Sequence, residues 1–298
     1  MKRYHLIFIA LFALLLFACA GPIEGDFPTF DTGIDPEGWA LVPAGEFYMG
    51  QHEHETMVEY DYEIMVTHVT NTQFANYLNQ AVEEGWVEVD GEEVVGYHPG
   101  DQYDGHKHEE EIPAGDYVHM NLEDPGLRIA FDGSAFVPMS GYENHPVVLV
   151  SWFGAKAYCE FYDSRLPTEV EWEKAARGTD LRPYPWGDEV TKEHANFYSS
   201  HDVFEKLAGS SDTTPVGFFN GQTYDGFITF DNASPYGVYD MAGNVWQWTG
   251  DDYEDQHYRY MRGGSKENYA YNLRVWTNNS AGPEFLSPNV GFRCLRTP

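Results

Sequence analysis

Residues 234–248 read SPYGVYDMAGNVWQW, a stretch that combines turn formers, two glycines, an acid and two tryptophans. Gly237 and Gly243 mark positions where the backbone turns with φ > 0 or approaches another segment closely. Asp240 and Gln247 supply side-chain oxygens, and the loop between them supplies backbone carbonyls. Oxygen donors of both kinds on one short loop are what a hard cation such as Ca²⁺ takes. A tight loop pinned by two buried indoles accounts for the same residues without a metal. The surrounding chain bears on that choice.

At the N-terminus, Lys2 and Arg3 precede an apolar run over residues 6–18, followed by Cys19. A basic start, a short apolar stretch and small residues before a cut describe a secretory signal peptide over residues 1–18. The run is too short to span a bilayer comfortably. Residues 16–19, LFAC, resemble a bacterial lipoprotein signal, which makes Cys19 the lipidated first residue of the mature chain. Ala18-Cys19-Ala20 also fits simple cleavage, with release of a soluble protein. Either way the mature chain lies outside the cytoplasm: an outer-membrane or cell-surface lipoprotein, or a periplasmic or extracellular protein. Cys159 and Cys294 then remain, and an even count in an oxidising compartment points to a disulfide, with two free buried thiols as the alternative.

About 280 residues follow the signal, enough for one large domain or two small ones. The chain carries 29 glycines, 17 prolines and 16% aromatic residues, a composition suited to a loop-rich globule stitched by aromatic packing. Its formal net charge is −31. Such a surface repels nucleic acid and anionic membrane, which leaves a lipid anchor as the expected membrane contact.

Residues 19–38 read as a tether rich in Pro, Gly and Asp. Residues 39–50, WALVPAGEFYMG, predict strand, turn and strand, with a third strand over 62–69. Thr70 with Gln73 forms a capping-box signature, and Phe74, Tyr77 and Leu78 give the helix its apolar face. Residues 83–116 hold twelve acidic residues against the single Lys107, within an insertion placed at about 83–140. Strand-like pieces such as residues 93–97 suggest a hairpin there. His52, His54, His106 and His108 form two i, i+2 pairs, each able to share one face of an extended strand. Residues 146–151 predict a buried strand, with Ser151 capping a helix to about Tyr162. Thr168 with Glu171 marks another helix start, and Gly178 its end.

Taken in order, residues 165–178 (RLPTEVEWEKAARG), 184–189 (YPWGDE), 195–196 (AN), 234–248, 262–265 (RGGS) and 289–294 (NVGFRC) resemble the formylglycine-generating enzyme, or sulfatase-modifying factor, family. The resemblance covers residues 39–298, interrupted by the acidic insertion. It implies an α+β fold, a variant of the C-type lectin fold with little regular secondary structure. It also implies two structural Ca²⁺ sites. One would use the side chains of Asp240 and Gln247 with the carbonyls of Gly243 and Val245. The other would use Asn196, the carbonyl of Phe197, Asp202 and the carbonyl of Phe204. Many members carry Glu at the place of Gln247, so the first site lacks one formal charge. Cys159 and Cys294 fall where some members form a disulfide.

The family's oxidases hold Cu(I) with two cysteines shortly after the GGS motif. Here residues 266–279 read KENYAYNLRVWTNN, and no cysteine lies between positions 160 and 293. Cu(I) demands soft thiolate ligands, which neither Asn nor Leu replaces. The expectation is therefore a chain that does not generate formylglycine: a non-catalytic binding or structural module with no catalytic residues. Its candidate ligand surface comprises Ser265, Lys266, Asn268, Tyr269, Tyr271 and Trp276, where rigid aromatics alternate with adaptable polar groups. The ligand would be a glycan, a peptide or another envelope protein, with self-assembly also open. The alternative is a metal-dependent oxidoreductase of the same family with a non-standard active site completed by the insertion.

Overall fold

A computed structural model describes residues 27–101, 111–252 and 258–298. Its helices begin where side chains supply the first hydrogen bonds. Thr70 caps helix α1 (Asn71–Glu84) by accepting from Gln73 N, Gln73 answers with the reciprocal bond, and Gly85 in the left-handed conformation ends the helix. Ser151 caps α2 (Trp152–Phe161), and Thr168 with Glu171 closes a second capping box on α3 (Glu169–Arg177). Caps of this kind satisfy donors that a helix end leaves open and are each worth about 1 kcal/mol. A six-residue helix, α4 (Val203–Ala208), starts at Asp202.

The strands gather in small sheets. The largest orders Asn278–Ala281, Arg259–Arg262, Trp246–Asp252 and Val290–Gly291, with the last pair parallel. Trp39–Val42, Tyr62–Met65 and Leu295–Arg296 form another, which brings the two ends of the domain side by side. The expected strands on either side of Pro43 exist but do not pair with each other. Trp39–Val42 pairs with Tyr62–Met65, while Gly45–Met49 pairs with His54–Val58. The third strand is also shorter than expected, ending at Met65.

Three more expectations change. Residues 27–38 are not a free tether: Phe30 packs edge-on against Phe204 at 5.7 Å, and Thr32 accepts from Asn220 through its carbonyl at 2.8 Å. The insertion is not one hairpin but a three-stranded meander (Val87–Asp90, Glu93–His98, Gly115–Asn121) followed by the hairpin Ile129–Phe131 and Phe136–Pro138. Val94, Met120, Ile129 and Phe136 join the main core with α1 and α2. Residues 146–151 are buried as expected but are not a strand. Leu149 adopts φ +60, and backbone bonds go instead from Val147 to Val69 and from Leu149 to Ser287.

Cys159 of α2 and Cys294 form a disulfide with Cα atoms 5.6 Å apart. Among the described residues, no helix is long and apolar enough to cross a membrane. The leader and Cys19 lie outside the described residues, as do His106 and His108 of the proposed histidine pairs. His52 and His54 are both exposed, with ring centroids 6.4 Å apart.

Candidate functional site

The loop over residues 234–248 turns through four positive-φ residues: Gly237, Asp240, Gly243 and Asn244. At Gly243 a Cβ would stand 2.5 Å from the Asn196 carbonyl oxygen, so close approach as well as φ +89 calls for glycine. The loop then enters the strand Trp246–Asp252, where Trp248 is fully buried and donates its indole N–H to the Val150 carbonyl.

The side-chain oxygens of Asp240 and Gln247 are engaged by the protein itself. Gln247 Oε1 accepts from Trp172 Nε1 at 2.9 Å and from Arg293 Nε at 2.7 Å. Asp240 Oδ2 accepts from Gly217 N at 2.6 Å, and its Oδ1 from Asn232 Nδ2 at 3.2 Å. Arg293, wholly buried, sends its remaining N–H groups to the carbonyls of Met65, Val66, Tyr239 and Asp240. Burial pulls the guanidinium down to about 9, partly offset by Asp240, and burial pushes the Asp240 carboxyl up. The cation at this junction is thus a guanidinium. With Gln247 taken twice and Arg293 against the loop, the set Asp240, Gly243, Val245 and Gln247 does not fit a Ca²⁺ cage.

The second set fits better. Ser200 Oγ lies 2.8 Å from Asp202 Oδ2 and 3.5 Å from Asn196 Oδ1, and Ser200 N donates to the Phe197 carbonyl. Asp202 is fully buried, burial raises its pKa, and the partners it has are neutral: Ser200 and the N–H groups of Phe204 and Glu205. Phe204 presents its N–H to this carboxylate, and helical geometry points its carbonyl the other way. Asn196, Asp202 and the Phe197 carbonyl are the residues that would hold Ca²⁺, and the ion would supply the positive charge the buried carboxylate lacks. Among the described residues, no group of three or more His, Cys, Asp and Glu converges.

The segment after the glycine pair divides between interior and surface. Gly263 and Gly264 have positive φ, and Leu273 lies 3.0 Å from where a Gly264 Cβ would be. Ser265 is buried, and its Oγ and N both donate to Asn268 Oδ1. Lys266 is buried too. Its Nζ donates to the Pro288 carbonyl at 2.7 Å and to Asn289 Oδ1, and burial pulls its pKa down to about 8. Leu273 is completely buried with Tyr184, Ala195 and Ala242. Ser265 and Lys266 are therefore not part of an open surface. Tyr269 and Tyr271 are, at 59% and 58% exposure, and Tyr269 meets the exposed Tyr198 at 5.0 Å. Trp276 is half-buried between the guanidinium groups of Arg177 and Arg274.

A fold of short strands and capped helices on which long loops are cross-braced is an α+β, C-type-lectin-like architecture with little regular secondary structure. The sulfatase-modifying factor enzyme 1-like domain matches residues 25–298, and the chain belongs to that family. It is 39% identical over 157 residues to "Inactive C-alpha-formylglycine-generating enzyme 2" of Bos taurus, covering 50% of this chain and 49% of that protein. It is 38% identical over 176 residues to "Serine/threonine-protein kinase pkn1" of Chlamydia caviae, covering 52% of this chain and 25% of that one. The chain thus spans between a quarter and a half of the length of these relatives. Among solved structures, PvdO from Pseudomonas aeruginosa superposes with a TM-score of 0.56 at 22% identity, covering 87% of this chain and 94% of that one, a likeness of fold.

Sequence reasoning did not single out Arg293, although it lies within the NVGFRC motif, nor Arg128, Tyr142 and Asp212. The available signal for Arg128 was its charge, an arginine inside a strongly acidic insertion.

Proposed function

We propose that this chain is a non-catalytic binding module of the cell envelope, carried by a lipid on Cys19. The observation that carries the reading is the fate of the thiols. Cys159 and Cys294 are bonded to each other, and the third cysteine of the chain, Cys19, is the one proposed to carry the lipid. The segment after Gly264 offers a Ser265–Asn268 clasp and the buried Leu273 where the family's oxidases use soft sulfur ligands. A relative named as inactive, aligned over half of this chain, is consistent with that loss of chemistry. The exposed ring pair Tyr198 and Tyr269, with Tyr271 nearby in sequence, is the contact face for a glycan, a peptide or an envelope protein. A single Ca²⁺ at Asn196 and Asp202 would serve the scaffold rather than the ligand.

The test is incubation of the purified chain with a cysteine-containing sulfatase peptide, Cu(I) and O₂. The expected result is unchanged peptide, and aldehyde formation would overturn the reading. The anchoring claim is tested by Cys19→Ser, which should move the protein from the membrane fraction to the soluble fraction; retention in the membrane fraction would refute it.

A further inference from the structure

A cavity of about 530 Å³ opens beside Lys266, within the size range of small-molecule sites. Separate parts of the chain line it, among them Phe27 of the N-terminal segment, Arg128 of the insertion, Tyr142, Asp212 after α4, Lys266 and Pro288. Its charges are unevenly satisfied. Asp212 Oδ2 accepts from Tyr142 Oη at 2.7 Å and its Oδ1 from Thr213 N at 2.8 Å. Arg128 stacks on the Tyr142 ring at 4.4 Å, and its Nη2 stays 3.7 Å from Asp212 Oδ2, beyond hydrogen-bond distance. The guanidinium is therefore held by stacking on Tyr142 and a hydrogen-bond contact with it, with its ion pair to Asp212 at the long end of the range. Lys266 uses two of its three N–H donors on Pro288 and Asn289. Glu267 at the rim is exposed and accepts from Asn289 Nδ2. His145 behind Thr213 is kept neutral by burial.

Arg128 and Lys266 face two carboxylates, Asp212 inside the cavity and Glu267 at its solvent-exposed rim, so the inner end has room for one further negative charge. A planar guanidinium matches a carboxylate in a two-bond fork. Phe27, Met139, Val148 and Pro288 supply apolar wall around it. We propose that this cavity binds the carboxylate of a small apolar or aromatic acid, with Arg128 and Lys266 holding the charged end. The inference gives the binding module a ligand class and rests on that reading for its biological meaning. The cavity chemistry would stand even if the chain proved to be an oxidase, so the aldehyde assay and the binding assay fail independently.

The experiment is calorimetric titration of the purified full chain at neutral pH with 4-phenylbutyrate, 4-phenylbutyramide and phenyl phosphate. The acid should bind about tenfold or more tightly than the amide, the effect of losing a charge-assisted hydrogen bond. Arg128→Gln should weaken the acid by a similar factor and leave the amide unchanged, while Phe27→Ala should weaken both. Arg128 is partly exposed and its ion pair with Asp212 is long, at 3.7 Å, so its variant should lose little melting temperature, which a thermal melt of the ligand-free protein checks. Equal binding of acid and amide, an acid affinity indifferent to Arg128→Gln, tighter binding of the doubly charged phosphate ester, or no heat from any probe up to about 10 mM would each overturn the proposal.

Discussion

Arg293→Met tests whether a fixed guanidinium holds the central loop. The wild-type side chain is wholly buried and reaches Gln247 Oε1 at 2.7 Å, Tyr239 O at 2.8 Å and Met65 O at 3.0 Å, with longer contacts to Val66 and Asp240. Methionine fills much of the volume and donates nothing. Counting the three short bonds at about 1.5–2 kcal/mol each, as for charged donors facing buried acceptors, the loss is about 5 kcal/mol. That is comparable to the whole stability of many domains. Arg293→Lys keeps the charge but has a compact ammonium in place of a fork, and about half the loss is expected. Urea unfolding followed by tryptophan fluorescence measures both, with thiol titration confirming that the neighbouring disulfide stays closed. A loss below about 2 kcal/mol for Arg293→Met would refute the reasoning. So would full rescue by added Ca²⁺, because the loop oxygens would then serve a metal as readily as the guanidinium.

Removing the disulfide with Cys159→Ala and Cys294→Ala together should cost about 5 kcal/mol in the chain-entropy account, since the bridge spans 135 residues; urea midpoints that match wild type would contradict it. Stability should fall as pH drops from 4.5 towards 2, partly through Glu171. Burial alone would raise its pKa, but bonds from Arg165, Thr168 and Tyr60 outweigh burial and bring it down to about 2 from 4.5. A depressed carboxylate stabilises the fold above its unfolded pKa and loses that contribution on protonation, here about 3 kcal/mol, so Glu171→Gln should flatten this part of the stability–pH curve. If Ca²⁺ binds at Asn196 and Asp202, saturation at about a hundredfold excess over Kd stabilises by about 2.7 kcal/mol, and Asp202→Asn should abolish the chelator-sensitive shift in Tm while Gln247→Ala leaves it. Equal sensitivity to chelator in the Asp202→Asn variant would rule out that site.

What was legible in the sequence was local. Thr70 with Gln73 and Thr168 with Glu171 lie three residues apart, so each cap can be read within a single turn of chain. Strand partners are not local, and the pattern on either side of Pro43 specifies two strands without saying that each pairs elsewhere. Residues 146–151 show the limit of reading apolar runs. Burial was correctly implied, but one left-handed residue at Leu149 sends the backbone bonds to other segments. The oxygen donors at Asp240 and Gln247 were likewise real, and their destination depended on Arg293, which lies 46 residues beyond Gln247.

If the chain is non-catalytic as proposed, that dependence would let the family fold keep its shape without a thiolate pair. The side-chain bonds to Asp240 and Gln247 that brace the loop over residues 234–248 come from Trp172, Gly217, Asn232 and Arg293, and the backbone tie from residues 266–279 is Lys266 N to the Asn244 carbonyl. The latter segment answers to a different set of constraints: Leu273 closes the interior, Ser265 and Asn268 bond to each other, and Tyr269 faces solvent. Its backbone is pinned at Lys266 N by the Asn244 carbonyl, so the first residue past the GGS turn has a fixed position. From there the lysine side chain reaches the cavity that Arg128 enters from the insertion. Under the proposed reading, the brace that holds Lys266 in register places one cation of the cavity, and the segment before α2 brings the other, Arg128.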